Sequence, residues 1–169
     1  IDLILNMSEL QTGTFDYRPT KFNLYEDILK VILFENSNFA KDKKIELNLI
    51  PTEIDTSIHA DNYSVHKIFE NLIYNAIKYT QEGYVRISCA KNNSGIIVII
   101  EDSGIGITEE YLPKLFTPFT QEESGYTRKF EGNGLGLALV KRYCEVNNAE
   151  INVESVKGSG TIFRVVFNN

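Results

Sequence analysis

One stretch constrains the fold more than any other. Between about residues 62 and 80, apolar side chains recur at Val65, Ile68, Phe69, Leu72, Ile73, Ala76 and Ile77. Steps of three and four place all seven on one wide helical face, and Asp61 stands where a side chain can cap the helix. Such a face must be covered, and the chain supplies strands to cover it. Val85, Ile87 and Cys89 alternate with polar residues, and Asn92-Asn93-Ser94-Gly95 makes a turn. The aliphatic run Ile96–Ile100 lacks alternation, which predicts a strand buried on both faces.

The remaining elements fit the same plan. Residues 1–12 carry Leu3, Met7 and Leu10 at helical spacing and read as the last turns of a helix that begins upstream. Residues 14–23 read as extended, with Pro19 barring a helix. Asn23 is placed to cap a helix whose buried stripe is Leu24, Ile28, Ile32 and Phe39. Ile45, Leu47 and Leu49 form a half-buried strand stopped by Pro51. A short helix is expected near 109–115, a polar loop over 120–133, and a helix at about 135–147 ending in Asn147-Asn148, where Asn tolerates the left-handed conformation. Two last strands, near 150–156 and 161–168, join across Lys157-Gly158-Ser159-Gly160. The fold class is α/β, a two-layer sandwich with helices on one face of a mixed sheet.

A chain of 169 residues with 43% hydrophobic and 24% charged residues suits one globular domain. No apolar run is long enough to cross a bilayer. Seventeen basic against twenty-three acidic residues leave a net charge of −6, which disfavours nucleic acid as a partner. Cys89 and Cys144 lie in regular elements without metal-ligand spacing, so neither a zinc site nor a disulfide framework is expected.

Four segments carry candidate chemistry. Asn71, Asn75 and Lys78, at i, i+4 and i+7, share one stripe of the long helix, with Tyr79 beside them. Amide oxygens can coordinate a hard cation and an ammonium can neutralise phosphate, although a solvated polar face is an equal reading. Glu101-Asp102-Ser103-Gly104-Ile105-Gly106-Ile107 leaves the end of a strand. There a carboxylate can accept from an exocyclic amine while glycines admit a flat ring, but an ordinary turn would look the same. Gly132-Asn133-Gly134-Leu135-Gly136-Leu137 opens a helix, whose free N–H groups favour anions. The polar stretch before it argues against a dinucleotide fingerprint, and a P-loop is excluded because no Lys-Ser or Lys-Thr follows at the required spacing. Arg128 or Lys129 can reach a terminal phosphate, or simply be solvated. Gly158-Ser159-Gly160-Thr161 needs no more explanation than a tight hairpin, and Phe116 and Phe119 can be simple core residues.

The order and spacing of these segments are more specific than any one of them. Together they resemble the Bergerat-fold nucleotide binders (gyrase, Hsp90, MutL and the histidine kinases), and the histidine kinases above all. Asn71–Thr80 is similar to the N box of that family, Leu115–Phe119 to its F box and Gly132–Leu137 to its second glycine box. The resemblance covers roughly 20–168. It implies an ATP-binding catalytic domain over 20–169, with residues 1–19 as the end of a dimerisation helix and its connector. It also implies site roles. Asn75 would ligate Mg²⁺, with Asn71, Lys78 and Tyr79 holding phosphates. Asp102 would read the adenine amine, and Gly104, Gly106 and Ile107 would line the base. Gly132, Gly134, Leu135, Gly136 and Leu137 would surround the phosphates under a lid at 120–133 that contains Arg128, and Thr161 would lie near the adenine.

One position separates kinase from hydrolase. The ATP-hydrolysing relatives carry a general-base Glu one turn before the metal-binding Asn. Here that residue is Asn71, which cannot take a proton, and Glu70 points about 100° away round the helix. The expectation is phosphoryl transfer to a histidine of an upstream dimerisation domain, with a response regulator receiving the phosphoryl group afterwards. The chain's own His59 and His66 lack the phosphoacceptor context, so it is expected to bind ATP without phosphorylating itself. A cytoplasmic location is expected, with no membrane contact by this segment. It is expected to be a monomer, although its parent protein would be a homodimer. Asn133 and Asn147-Asn148 depart from the usual Thr or Ser and Gly of the family. A protein serine kinase of the anti-sigma-factor type and a non-catalytic nucleotide sensor are the alternatives.

Overall fold

The computed structural model describes residues 2–120 and 135–168. In chain order the elements are α1 (Asp2–Thr12), β1 (Pro19–Asn23), a π-helical turn (Leu24–Leu29), α2 (Lys30–Asp42), β2 (Glu46–Leu49), β3 (Ser57–Asp61), α3 (Asn62–Lys78), β4 (Tyr84–Lys91), β5 (Gly95–Asp102), a 3₁₀ turn (Leu112–Lys114), α4 (Gly136–Val146), β6 (Ala149–Val156) and β7 (Gly160–Asn168). Five strands form a mixed sheet in the order β2-β4-β5-β7-β6, in which β2 runs parallel to β4 and every other pair is antiparallel. β1 and β3 form a separate antiparallel pair.

The long helix forms as its periodicity predicts. Asp61 Oδ1 accepts the Ser64 N–H at 2.8 Å as N-cap, and Val65, Ile68, Phe69, Leu72, Ile73, Ala76 and Ile77 are all buried. They meet Val85 and Ile87 of β4, Val98 and Ile100 of β5, and Phe163, Val165 and Phe167 of β7 in one continuous core. The Phe69 and Phe167 rings lie 6.0 Å apart. Each fully buried aliphatic or aromatic side chain contributes about 1.5–3 kcal/mol. The exposed ion pairs of the helices contribute about 0.2–1 kcal/mol each, so the sheet face, not surface charge, fixes the position of α3.

Several expectations need correction. β5 is not buried on both faces: Ile96, Val98 and Ile100 are buried, while Ile97 and Ile99 are half-buried on the face without helices. The helices cover only one side of the sheet, so even an unbroken aliphatic run has a wetter side. Asn23 does cap, accepting from Glu26 N–H at 2.9 Å, but the first turn is π-helical rather than α. The wider turn buries Leu24, Ile28 and Leu29 together, and Thr56 anchors it through bonds to the Leu24 and Tyr25 amides. β3 forms in a stretch whose residue pattern predicts no element. The helix expected near 109–115 shrinks to the 3₁₀ turn, with Pro113 in its first positions.

At the end of α4, Asn148 adopts φ 52°, as anticipated for Asn. Asn147 has φ −96° and serves a different purpose. Its buried amide accepts from Asp61 N–H and donates to Ser64 Oγ and the Tyr143 carbonyl, which pins the end of α4 to the start of α3. α1 packs on the domain through buried Met7, and Phe15 lies against the Tyr143 ring at 5.8 Å. Among the described residues no helix is long and apolar enough to cross a membrane.

Candidate functional site

Asn71, Asn75 and Lys78 emerge half-buried along one stripe of α3, just beyond its buried face. Asn71 Nδ2 donates to the Lys67 carbonyl at 2.8 Å, which fixes the amide plane. Its Oδ1 faces the start of α4, where a Cβ on Gly136 would sit 3.0 Å from it. The α3 stripe and the N-terminus of α4 therefore meet at Asn71 and Gly136. Glu70 pairs its carboxylate with Lys67 at 2.9 Å, and both Glu70 and Asn71 line a groove of about 580 Å³ bounded by α1, α2, α3 and α4. Lys78 Nζ lies 5.3 Å from the Tyr79 ring centre, and partial burial lowers the pKa of this lysine.

The end of β5 is held more tightly still. Asp102 is buried and accepts the Gly104 N–H at 2.9 Å. Desolvation raises its pKa to about 6, against the opposing pull of the Gly104 and Thr161 amides. The loop that follows is clamped from both sides. Ile105 N–H donates to the Tyr79 carbonyl at 3.1 Å, Ile107 N–H to Ser155 Oγ at 2.8 Å, and Gly158 N–H to the Ile105 carbonyl at 2.7 Å. Ser155 also bonds the Gly160 carbonyl and the Thr161 hydroxyl. The hairpin segment Gly158–Thr161, readable from sequence as a plain turn, is thus one wall of the same site.

Glycine is required here by contact. A Cβ on Gly104 would lie 2.5 Å from the Tyr79 carbonyl and 2.9 Å from Thr80 Oγ1. One on Gly160, which has φ +119°, would collide with the Asp102 carbonyl. Gly106 adopts φ +69° against Val156. Thr80, Ser155 and Lys43 were not singled out as site residues. Thr80 is buried and donates to the Ala76 carbonyl at 2.7 Å, while Lys43 reaches in from the end of α2. Neither Ser155 nor Lys43 has a sequence signal, because each acts on a segment distant in the chain.

Leu135 is buried at the α4 N-terminus, and Leu137 packs on the core. Arg128, Gly132 and Gly134 lie outside the described residues. Phe116 packs on the core as expected, but Phe119 is 71% exposed with φ 63°. Thr120 Oγ1 bonds back to the Lys114 and Thr117 carbonyls there, closing a turn that leaves Phe119 outside. His59 is exposed on β3, and His66 lies 4.0 Å from Glu35 of α2.

The donor set fits a nucleotide with its metal. A buried carboxylate stands beside a glycine-dependent turn, and carboxamides with an ammonium continue along α3 towards a helix N-terminus. Among the described residues no group of three His, Cys, Asp or Glu could hold a metal unaided. A cation here would draw on Asn75 together with phosphate oxygens and water, as Mg²⁺ commonly does.

Residues 60–169 match the family described as histidine kinase-, DNA gyrase B-, and HSP90-like ATPase. The chain belongs to this family. Within it the relatives are histidine kinases. It is 34% identical to the peroxide stress-activated histidine kinase mak2 of Schizosaccharomyces pombe, over 96% of this chain and 8% of that protein. It is also 34% identical to the autoinducer 2 sensor kinase/phosphatase LuxQ of Vibrio parahaemolyticus, over 96% of this chain and 20% of that one. The crystal structure of full-length ShkA in complex with AMPPNP superposes with a TM-score of 0.82 at 23% identity, over 99% of this chain and 35% of that chain. The last comparison establishes the shared fold. This histidine-kinase-type ATPase domain thus spans a small part of the length of the curated relatives it matches.

Proposed function

We propose that this domain binds Mg-ATP and donates the γ-phosphoryl group to a histidine on a dimerisation domain, of which α1 and residues 13–19 are the end. The observation that carries the reading is the joining of the motif segments. The Tyr79 carbonyl, the Asp102–Ile107 turn and the Ser155–Thr161 hairpin form one hydrogen-bonded cradle, and the Asn71 stripe runs from it to Gly136.

In this reading Asp102 accepts from the adenine amine, and the backbone of Gly104, Gly106 and Ile107 lies against the ring, near Thr161. Asn71, Lys78 and Tyr79 hold the phosphates, with Leu135, Gly136 and Leu137 supplying the helix N-terminus. Gly132, Gly134 and Arg128 belong to the same proposal. Asn75 holds Mg²⁺, which neutralises phosphate charge when bound. No carboxylate stands one turn before Asn75, so water is not activated and the phosphoryl group is kept for an imidazole. The protein contributes position and charge, the usual means for this chemistry. The parent is a homodimer passing its phosphoryl group to a response regulator, and the domain works in the cytoplasm, where ATP is.

A thermal-shift titration tests the nucleotide site. ATP is expected to raise the melting temperature more with Mg²⁺ than without it, and Asn75→Ala is expected to lose that increment. An equal response with and without metal favours a passive nucleotide sensor. Incubation of this chain with labelled ATP is expected to leave His59 and His66 unlabelled; stable phosphohistidine at either would overturn the division of labour between domains.

A further inference from the structure

The last carbonyls of a helix need partners from outside it, and at the end of α3 every one can be followed. The Asn75 carbonyl takes the Tyr79 N–H at 2.9 Å, and the Ala76 carbonyl takes Thr80 Oγ1 at 2.7 Å. The Tyr79 carbonyl takes the Ile105 N–H of the Asp102 turn. Between them, the Ile77 and Lys78 carbonyls both receive the Lys43 ammonium, at 2.6 and 2.8 Å. The Ile77 carbonyl also takes the Thr80 N–H at 3.3 Å and shares the Tyr79 N–H with the Asn75 carbonyl. One cation from a distant segment thus closes the end of the helix that carries Asn71, Asn75 and Lys78.

Lys43 is delivered there by a built turn. Lys44 adopts φ 57°, its N–H bonds the Lys41 carbonyl, and the Ile45 N–H reaches back to the Ala40 carbonyl at 2.9 Å. This is the double bond pattern that ends a helix through a left-handed residue, here a lysine rather than glycine. Buried Ile45 locks the exit, and the Phe39 ring lies 5.7 Å from the ammonium. Phe39 in turn stacks on Tyr74 of α3 at 5.3 Å. The positive charge also sits at the negative end of the α3 dipole.

We propose that Lys43 is a positioning residue for the nucleotide site, fixing the Tyr79 carbonyl and through it the Asp102–Ile107 turn. The proposal rests on the nucleotide reading of that turn, yet the coupling itself can be measured without nucleotide. In Lys43→Met, amide exchange at Ile105 is expected to quicken about tenfold while the β5 and β7 core amides keep their rates. ADP affinity of the same variant, measured well below its melting temperature, is expected to fall about fivefold. Lys43→Arg, which keeps a cation and two donors, is expected to recover most of both effects. Unchanged exchange at Ile105, or equal acceleration at every amide, overturns the proposal and leaves Lys43 a general stabiliser. Failure of the unsubstituted chain to bind ADP is read independently and defeats the nucleotide reading instead. If the methionine variant does not fold, Lys43→Gln provides a shorter neutral donor, with the same outcomes deciding.

Discussion

The two ends of the site are built by different means. At the Asp102 end the walls are backbone: Gly104 against the Tyr79 carbonyl, Gly160 against the Asp102 carbonyl, and amides of Ile105, Ile107 and Gly158 bonded across three segments. At the α3 stripe the walls are side chains: Asn71, Asn75 and Lys78, half-buried, with only the Asn71 amide facing Gly136. Backbone cannot swing aside, so the first end is intolerant of one added atom whatever its chemistry. Side chains can adjust, so the second end tolerates size and depends on the identity of the functional group.

The largest effect that separates the two ends is steric. Gly160→Ala places a Cβ on the Asp102 carbonyl at a positive φ and is expected to cost roughly 3 kcal/mol in denaturant unfolding. Gly136→Ala adds the same atom at the stripe end, in a helix and facing a side chain. At the first position of a helix the propensity gain is only part of the roughly 1 kcal/mol of an interior site, so stability is expected to change by less than about 1 kcal/mol. Comparable losses at both glycines would erase the contrast. Chemistry should reverse the ranking. Asn75→Ala is expected to leave stability within about 0.5 kcal/mol, because the residue is half-buried. It is also expected to reduce transfer to the phosphoacceptor of the parent protein about a hundredfold, measured with labelled ATP.

A third comparison uses pH. Burial raises Asp102 from the usual 3.8 to about 6, so between those values the folded chain holds a proton that the unfolded chain releases. This residue therefore makes its stabilising contribution at low pH and loses it as pH rises towards 6. Relative to the parent, Asp102→Asn is expected to gain stability over that interval and to hold a constant difference above it. Nucleotide affinity should run the other way, because an adenine amine needs the ionised carboxylate. ADP binding by the parent is expected to weaken up to about tenfold per pH unit below 6, while the variant stays weak and flat. A flat parental profile in calorimetry would remove Asp102 from base recognition.

Much of this was readable because it is periodic or local. Steps of three and four exposed α3, a capping Asp61 marked its start, and alternation gave β4. The polar stripe of Asn71, Asn75 and Lys78 followed from the same helical geometry. The unread parts depend on partners far along the chain. The π-helical turn after Asn23 follows from Thr56 gripping its N-terminus, and β3 exists because Phe22 and its neighbours pair with it. The half-open face of β5 reflects which side of the sheet the helices cover, a tertiary fact that five aliphatic residues cannot reveal. Asn147 invited a conformational explanation, yet its amide spends its bonds on Asp61, Ser64 and Tyr143.

The smallest expected effect carries the kinase-versus-hydrolase argument. Glu70 is the carboxylate nearest in sequence to the position that a hydrolase uses as base, and its side chain pairs with Lys67 along the groove that Asn71 also lines. A part-buried i,i+3 pair on a helix is worth about 0.2–0.5 kcal/mol, so Glu70→Gln should shift the unfolding midpoint barely at all. It should also leave residual ATP hydrolysis unchanged in a phosphate-release assay. A tenfold drop in that assay would mean that Glu70 rotates over the triphosphate to activate water. Asn71 in the base position would then no longer account for the proposed sparing of ATP from water, and the side-chain end of the site would have to be redrawn around a mobile base.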